Sequence, residues 1–460
     1  MSDSQRPYYH GEPSITESNP PHSPSSSHTL SNLIAKDNVS DATYSVTQQR
    51  IYVFTSWICS SLFLMTLFVF AAIHNVYLKL ITRRHSVPVI PDDESNHVGY
   101  TKEELRLVDD PSYYFRLNGL SLESYDVITK DGFVLSLQRI VDPKVPDHIR
   151  AARRPLLCLH GLLQSSGSFF SAGRGSLAYH FFDSGFDVWL GNNRCGFTPR
   201  HTTLSPNDAK MWNWDITDMA HFDVTALVDH VRSVNRHESG KVVLVAHSQG
   251  TTQGFIALNS DRFGLKSKIS SFVSLAPAVY AGSLLETKWF IRFMSLMCNF
   301  RFFFGVHSFL PMMMTARSLL LEHSLFSFSS YLMFNFLFDW NDRLWDKHLK
   351  GRHFLASPVY ISVRLMSWWL NAESGFRQSG SLFEESVEWF DSETPPIMLV
   401  VPNLDKLVDG KRLLRHMSSI ETNVTWEHIF LENYSHLDVL WSRTVVRDVG
   451  VPVCRFLEKY

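Results

Sequence analysis

Val242-Val243-Leu244-Val245-Ala246-His247-Ser248-Gln249-Gly250 carries a run of aliphatic residues into a small-x-Ser-x-Gly turn, and a helix-compatible stretch, 251–259, follows. An unbroken aliphatic run that stops at a turn reads as a strand buried on both faces. A strand that passes into a helix through a serine with small neighbours is a nucleophile elbow. The turn is tight enough that its flanking positions must be small. Ala246 stands where glycine is commoner, and a methyl group still fits. Ser248 is thereby expected at the strand's C-terminal end, near the N-terminus of the next helix, whose dipole favours developing negative charge.

Serine is a weak nucleophile without a base, and the base needs an acid to orient it. Behind an elbow the three follow in the order Ser, then Asp or Glu, then His. The apolar run 397–401 leads into Pro402-Asn403-Leu404-Asp405, so Asp405 falls in a loop just past a strand end, with Asp409 as the rival carboxylate. Strand-like residues 425–431 lead to Asn433-Tyr434-Ser435-His436-Leu437-Asp438, and His436 follows both other members. His416 and His428 are alternatives, but each sits inside a helix or strand pattern. The expected catalytic set is Ser248, Asp405 and His436. An oxyanion hole needs one backbone N–H from the residue after the nucleophile, Gln249, and one from the loop after an early strand. Leu156-Leu157-Cys158-Leu159-His160-Gly161-Leu162 supplies that loop, with Leu162 N–H as the candidate.

Outward from the elbow, apolar runs at 156–159, 187–190, 242–246, 269–275 and 397–401 alternate with longer helical stretches, which predicts a parallel sheet wrapped by helices. Tyr125-Asp126-Val127-Ile128-Thr129 and Phe133-Val134-Leu135-Ser136-Leu137 flank a turn holding Asp131-Gly132, the pattern of a β-hairpin. The expected division is a disordered tail at 1–50, a membrane anchor at 51–80, a linker at 81–110, a core at 111–277 and 395–460, and an insertion at 278–394. The tail is rich in Ser, Pro, Asn and Thr and short of large aliphatics. Residues 51–78 contain no Asp, Glu, Lys or Arg, and 51–73 alone would make a helix of about 35 Å, against about 30 Å of hydrocarbon. Arg50 precedes this span, and Lys79, Arg83 and Arg84 follow it, so positive-inside bias puts the C-terminal bulk in the cytosol. Insertion into a monolayer from the cytosolic side fits equally. The sequons at Asn423 and Asn433 would matter only in a lumen. The insertion is dense in soft apolar groups: Phe302-Phe303-Phe304, Met312-Met313-Met314 and Phe334-Asn335-Phe336-Leu337-Phe338. Such groups make adaptable, deep apolar surfaces.

A formal net charge of −2 argues against nucleic acid as a partner. The five cysteines, Cys59, Cys158, Cys195, Cys298 and Cys454, show no metal-ligand spacing; the expectation is no metal and no cofactor, with room left for one disulfide.

Taken together, Glu123-Ser124-Tyr125-Asp126-Val127-Ile128-Thr129-Lys130-Asp131-Gly132, His160-Gly161-Leu162-Leu163, Gly185-Phe186-Asp187-Val188-Trp189-Leu190-Gly191-Asn192-Asn193-Arg194, His247-Ser248-Gln249-Gly250-Thr251-Thr252 and His436-Leu437-Asp438 resemble the acid lipase and steryl ester hydrolase family of α/β-hydrolases, over roughly 118–456. The continuation Cys195-Gly196-Phe197 and the N-terminal apolar span are most similar to its fungal membrane-anchored branch. The resemblance implies the α/β-hydrolase fold with a helical cap, and Ser248, Asp405 and His436 as nucleophile, acid and base. Leu162 and Gln249 become the oxyanion donors. The implied activity is cleavage of sterol fatty-acid esters at a membrane or lipid-droplet surface, in lipid droplet, endoplasmic reticulum or plasma membrane. Ala246, and Pro402-Asn403 before the acid, depart from the family pattern. A triacylglycerol lipase, an acyltransferase using the same residues, and a non-catalytic membrane scaffold are the competing readings.

Overall fold

The computed structural model describes residues 44–84, 99–371 and 373–460. The expected tail at 1–43 and linker at 85–98 lie outside them. The described chain opens with one long helix, α1 (Val46–Arg84). It begins before the expected anchor because Ser45 and Gln48 cap it reciprocally: the Gln48 N–H donates to Ser45 Oγ at 3.2 Å, and the Ser45 N–H donates to Gln48 Oε1 at 3.0 Å. The linker reading needs correction at its far end. Residues 99–110 are packed onto the insertion: the Tyr100 hydroxyl donates to Asp346 at 2.6 Å, Thr101 and Glu104 form a capping box on a short helix, and Asp109 pairs with Arg317 at 2.7 Å. The acidic, proline-punctuated composition hid these specific partners.

Eight strands form one sheet: β1 (Ser121–Ile128), β2 (Val134–Val141), β3 (Pro155–Leu159), β4 (Asp187–Gly191), β5 (Val242–His247), β6 (Ile269–Leu275), β7 (Ile397–Pro402) and β8 (Trp426–Leu431). Their spatial order is β1-β2-β4-β3-β5-β6-β7-β8. β2 runs antiparallel to both neighbours, and every other pairing is parallel. This is the α/β-hydrolase fold. β3, β4, β5 and β7 are buried at every position, which is why they read as apolar runs; the one carboxylate among them, Asp187 at the start of β4, is paired with the buried Arg139 at 2.7 Å. Alternate side chains feed two cores: Leu157, Leu159, Leu244 and Ala246 on one face, and Leu156, Cys158, Val243 and Val245 on the other.

The β1–β2 turn is tied to the loop after β4. Gly132 has φ of +93°, and a Cβ there would lie 2.8 Å from the His201 ring. Next to it, Asp131 pairs with Arg194 at 2.9 Å; Arg194 also pairs with the fully buried Asp223 at 2.7 Å, and its guanidinium lies over Phe133. One arginine thereby links two of the stretches that carry the family resemblance.

Between β6 and β7 the chain leaves the sheet and returns after more than 100 residues. After β5 comes α2 (Gln249–Ser260); the insertion then contributes α3 (Trp289–Met297), α4 (Arg301–Phe304), α5 (Met312–Leu320) and α6 (Ser324–Phe338). Helix α1 docks on this insertion. Ser56, Ser60, Phe63, Leu67 and Ala71 recur at three- and four-residue spacing and are all buried. Phe63 stacks on Phe293 at 5.3 Å and meets Phe303 edge-on, and His74 meets Phe336 at 5.6 Å. The opposite face of α1, including Phe54, Leu62, Met65, Val69, Ile73 and Val76, is exposed. α1 is the one helix among the described residues long and apolar enough to cross a membrane. All five cysteines are free.

Candidate active site

Parallel strands aim their C-terminal ends to one edge of the sheet, and ligands bind in α/β folds at that edge. The ends of β5, β7 and β8 bring Ser248, Asp405 and His436 there. Ser248 links β5 to α2 with φ of +52° and ψ of −120°, a backbone region that costs a non-glycine residue on the order of 1–3 kcal/mol. Two contacts explain why glycine stands after the elbow serine and in the loop facing it. A Cβ on Gly250 would lie 2.7 Å from the Leu159 carbonyl oxygen, and one on Gly161 would lie 3.0 Å from the Cβ of Ser248. The elbow and the loop after β3 are therefore packed backbone to backbone, and Leu162 directly follows that contact. Gln249 opens α2, where first-turn N–H groups have no acceptor within the helix.

The Ser248 hydroxyl donates to His436 Nε2 at 2.7 Å, and His436 Nδ1–H donates to Asp405 Oδ2 at 2.6 Å. The other Asp405 oxygen accepts the N–H groups of Leu407 and Val408 at 2.8 and 3.3 Å. The carboxylate is thus fixed by its own loop and in turn fixes the imidazole tautomer that leaves Nε2 free to accept a proton. Ser248 is 7% exposed and His436 1%.

The rivals lie elsewhere. Asp409 accepts the Arg412 N–H at 2.9 Å and caps the helix Gly410–Ser419. His416, inside that helix, bonds to Glu421 at 3.0 Å and stacks on Trp389. His428 is exposed on β8.

Several supporting side chains escaped the sequence reading. Trp340, just past α6, lies flat on the His436 ring, with centroids 5.3 Å apart and planes at 4°. It is braced from behind by Phe338 at 4.3 Å and Phe334 at 5.7 Å. Only its position next to the aromatic run 334–338 could have drawn attention to it. His247 lies between the Gln164 side chain, 3.1 Å from Nδ1, and the His436 carbonyl, 3.2 Å from Nε2, and burial holds its pKa well below the usual histidine value. His160, pushed down to about 4 by burial, donates from Nδ1 to the Gly161 carbonyl and accepts the Asn193 N–H on Nε2, joining the β3 and β4 loops. Asp438, two residues after the histidine, accepts from the Ser435 N–H and hydroxyl at 2.7 and 2.6 Å and from the Trp345 indole at 2.7 Å, which clamps the loop that presents His436. The Gln249 side-chain oxygen accepts from the Trp369 indole at 2.9 Å, so a second insertion tryptophan reaches the elbow.

Two family models match this chain: a partial alpha/beta-hydrolase lipase region over residues 111–173, and the alpha/beta hydrolase fold over residues 154–420. Sterol esterase 2 of Saccharomyces cerevisiae is 40% identical over 418 residues, covering 82% of this chain and 77% of the yeast protein. Gastric triacylglycerol lipase of Homo sapiens is 30% identical over 352 residues, covering 72% of this chain and 86% of the human protein.

Proposed function

Because this chain belongs to the acid lipase and steryl ester hydrolase family of α/β-hydrolases, and is thereby a carboxylic ester hydrolase acting on lipid esters, we propose that it is a membrane-associated sterol esterase whose triad is Ser248, His436 and Asp405. The observation that carries this reading is the unbroken relay from Ser248 Oγ through His436 to Asp405, at 2.7 and 2.6 Å, on a strained elbow.

His436 Nε2 takes the Ser248 proton as Oγ attacks the ester carbonyl. The oxyanion is held by the N–H groups of Leu162 and Gln249, which act where charge develops. Asp405 stabilises the imidazolium, which hands its proton to the departing sterol alkoxide. Water, deprotonated by the same imidazole, then attacks the acyl-enzyme and releases the fatty acid, returning the proton to Ser248. Neither step calls for a metal or an organic cofactor.

A steryl ester is favoured over a triacylglycerol by the higher identity to the yeast sterol esterase than to the gastric lipase. The segment between β6 and β7 acts as a cap, because Trp340 and Trp369 reach the triad and elbow from it. Membrane association rests on the apolar outer face of α1, and the cytosolic placement of the hydrolase on the excess of Lys79, Arg83 and Arg84 after the span over Arg50 before it. Purified protein incubated with labelled steryl ester, with and without free sterol, tests the whole reading. Release of free acid, abolished in Ser248→Ala at unchanged protein abundance, is the expected result. New ester formation would make the chain an acyltransferase, and retained hydrolysis in Ser248→Ala would refute the nucleophile.

A further inference from the structure

We propose that a second cavity, beside the triad but separate from it, binds the carboxylate of a fatty acid through Arg352. This cavity, of about 420 Å³, lies among the loops after β3 and β4 and the end of the insertion helices. Its wall is mixed. Ser165, Ser166 and Ser171 line it with hydroxyls, and Phe170, Phe197 and Leu355 with apolar surface.

The charges on the wall do not balance. Arg194 is matched by Asp131 and Asp223, Arg200 by Asp126, and Asp109, the one carboxylate on the wall, by Arg317. Arg352 is only 6% exposed, yet among the described residues no carboxylate lies within ion-pair distance of it. Its guanidinium rests over the Tyr114 ring at 4.1 Å, its one hydrogen bond is a long 3.4 Å contact to the Glu104 carbonyl, and its Nε–H has no acceptor. A guanidinium cannot shed its proton to escape burial. A buried cation with no described carboxylate in ion-pair contact is costly, the more distant Glu104 being its nearest help, and the side chain keeps several unused donors in a planar fork. That fork suits a carboxylate. Ser166 adds a further donor: its oxygen already accepts from Asn192 at 3.0 Å, which leaves its own proton for a ligand.

The apolar half of the wall selects an anion with a hydrocarbon tail. Ester hydrolysis releases such an anion nearby. The loop that supplies Ser165 and Ser166 also carries Gln164, whose side chain touches His247 next to Ser248. One loop thus borders both sites.

Calorimetric titration of the full-length, detergent-solubilised protein tests this, with octanoate, 1-octanol and inorganic phosphate as probes against wild type and Arg352→Gln. A saturable octanoate site weakened at least tenfold in Arg352→Gln is expected, with 1-octanol binding equal in both proteins. Hydrolysis of a soluble short-chain ester should stay within about twofold, which separates this site from the triad. Equal octanoate affinity in the two proteins overturns the proposal. Displacement of octanoate by phosphate overturns the fatty-acid assignment in favour of a phosphate-bearing ligand. Should Arg352→Gln fail to fold, the wild type still decides. Bound octanoate labelled with ¹³C at its carboxyl should stay ionised at a pH where the free acid protonates, and protonation in step with the free acid refutes the contact.

Discussion

Replacing Trp340 tests whether the insertion takes part in the chemistry or merely covers it. His436 is held by hydrogen bonds at both ring nitrogens, by the face of Trp340 at 5.3 Å, and obliquely by His247 at 5.1 Å. An aromatic pair of this kind is worth about 0.5–1.5 kcal/mol beyond the area it buries. If that energy serves to keep the imidazole aligned while its proton moves, losing it slows the chemical step by about 2- to 13-fold, at ~1.36 kcal/mol per decade. Trp340→Ala would also open a void costing about 3–5 kcal/mol of stability, so Trp340→Leu and Trp340→Phe are the cleaner pair. The assay is kcat and KM on a soluble short-chain ester, alongside thermal melting. The expected result is a lower kcat with near-constant KM in Trp340→Leu, and recovery of most of the rate in Trp340→Phe. A folded Trp340→Leu protein with wild-type kcat would refute the positioning role, and a raised KM at constant kcat would make Trp340 a wall of the substrate pocket instead.

Asp405→Asn should lower kcat by about three orders of magnitude or more, since it removes the charge and, with its oxygen kept on the Leu407 and Val408 N–H groups, turns a donor NH2 toward His436 that favours the wrong tautomer; stopped-assay rates check it. Asp223→Ala should destabilise the protein by about 3–5 kcal/mol in urea titration, because it strips the fully buried partner from Arg194. Gly250→Ala should prevent accumulation of soluble protein, since its Cβ would lie 2.7 Å from a backbone oxygen that cannot give way. Stability should fall on acidification. His160 and His353 have folded-state pKa values of about 4 and about 3, below the ordinary 6.5, so the unfolded chain binds more protons between those limits. Their contribution is complete above pH 6.5 and is lost as pH drops toward 4, at up to about 3 kcal/mol for each fully buried ring. Asp218, raised to about 6 chiefly by burial, works in the opposite direction from pH 6 downward and offsets part of that loss. Urea midpoints at pH 7.5, 5.5 and 4.5 measure the net slope, and a midpoint that rises toward pH 4.5 would refute the assignment of neutral buried histidines.

The elements at the centre of the sheet were readable because burial on both faces forces unbroken aliphatic runs, and no other local structure of that length needs them. Asp405 and His436 could be picked from chain order, since the loops after β7 and β8 open on the same edge as the elbow after β5. The Trp340 stack was not readable. It depends on how a long insertion folds back over the sheet, and no spacing rule ties residue 340 to residue 436. Arg352 was hidden for the same reason: an arginine in a basic segment has an ordinary sequence signature, and only the lack of an ion-paired carboxylate among the described residues sets it apart in three dimensions. The packing of 99–110 was missed because its hydrogen bonds run to partners more than 200 residues away.

The contacts of α1 bear on how substrate could arrive. If α1 lies in lipid, as proposed, the elements packed on its buried stripe must lie at the lipid boundary, because Phe63 reaches Phe293 and Phe303 directly. The exposed side chains of those same elements include Trp289, Leu296, Phe300 and Phe302, beside one charged group, Arg292; the four apolar ones are favoured by acyl chains over water. Helix α6 touches α1 through Phe336 and, two residues to either side and so on another face, presents Phe334 and Phe338 to Trp340. Helix α6 thus carries both the ring that meets α1 and the rings that brace Trp340 against His436, so separating α1 from the insertion would expose Phe63 and Phe336 and, through the backbone of α6, loosen the support of Trp340. Charged substitutions on the buried stripe, such as Ala71→Glu, should therefore lower hydrolysis of a soluble ester as well as membrane retention. The same charge on the outer face, at Val69, should lower retention alone. Equal effects of both substitutions on the soluble-ester rate would show that the docked face of α1 has no bearing on the active site.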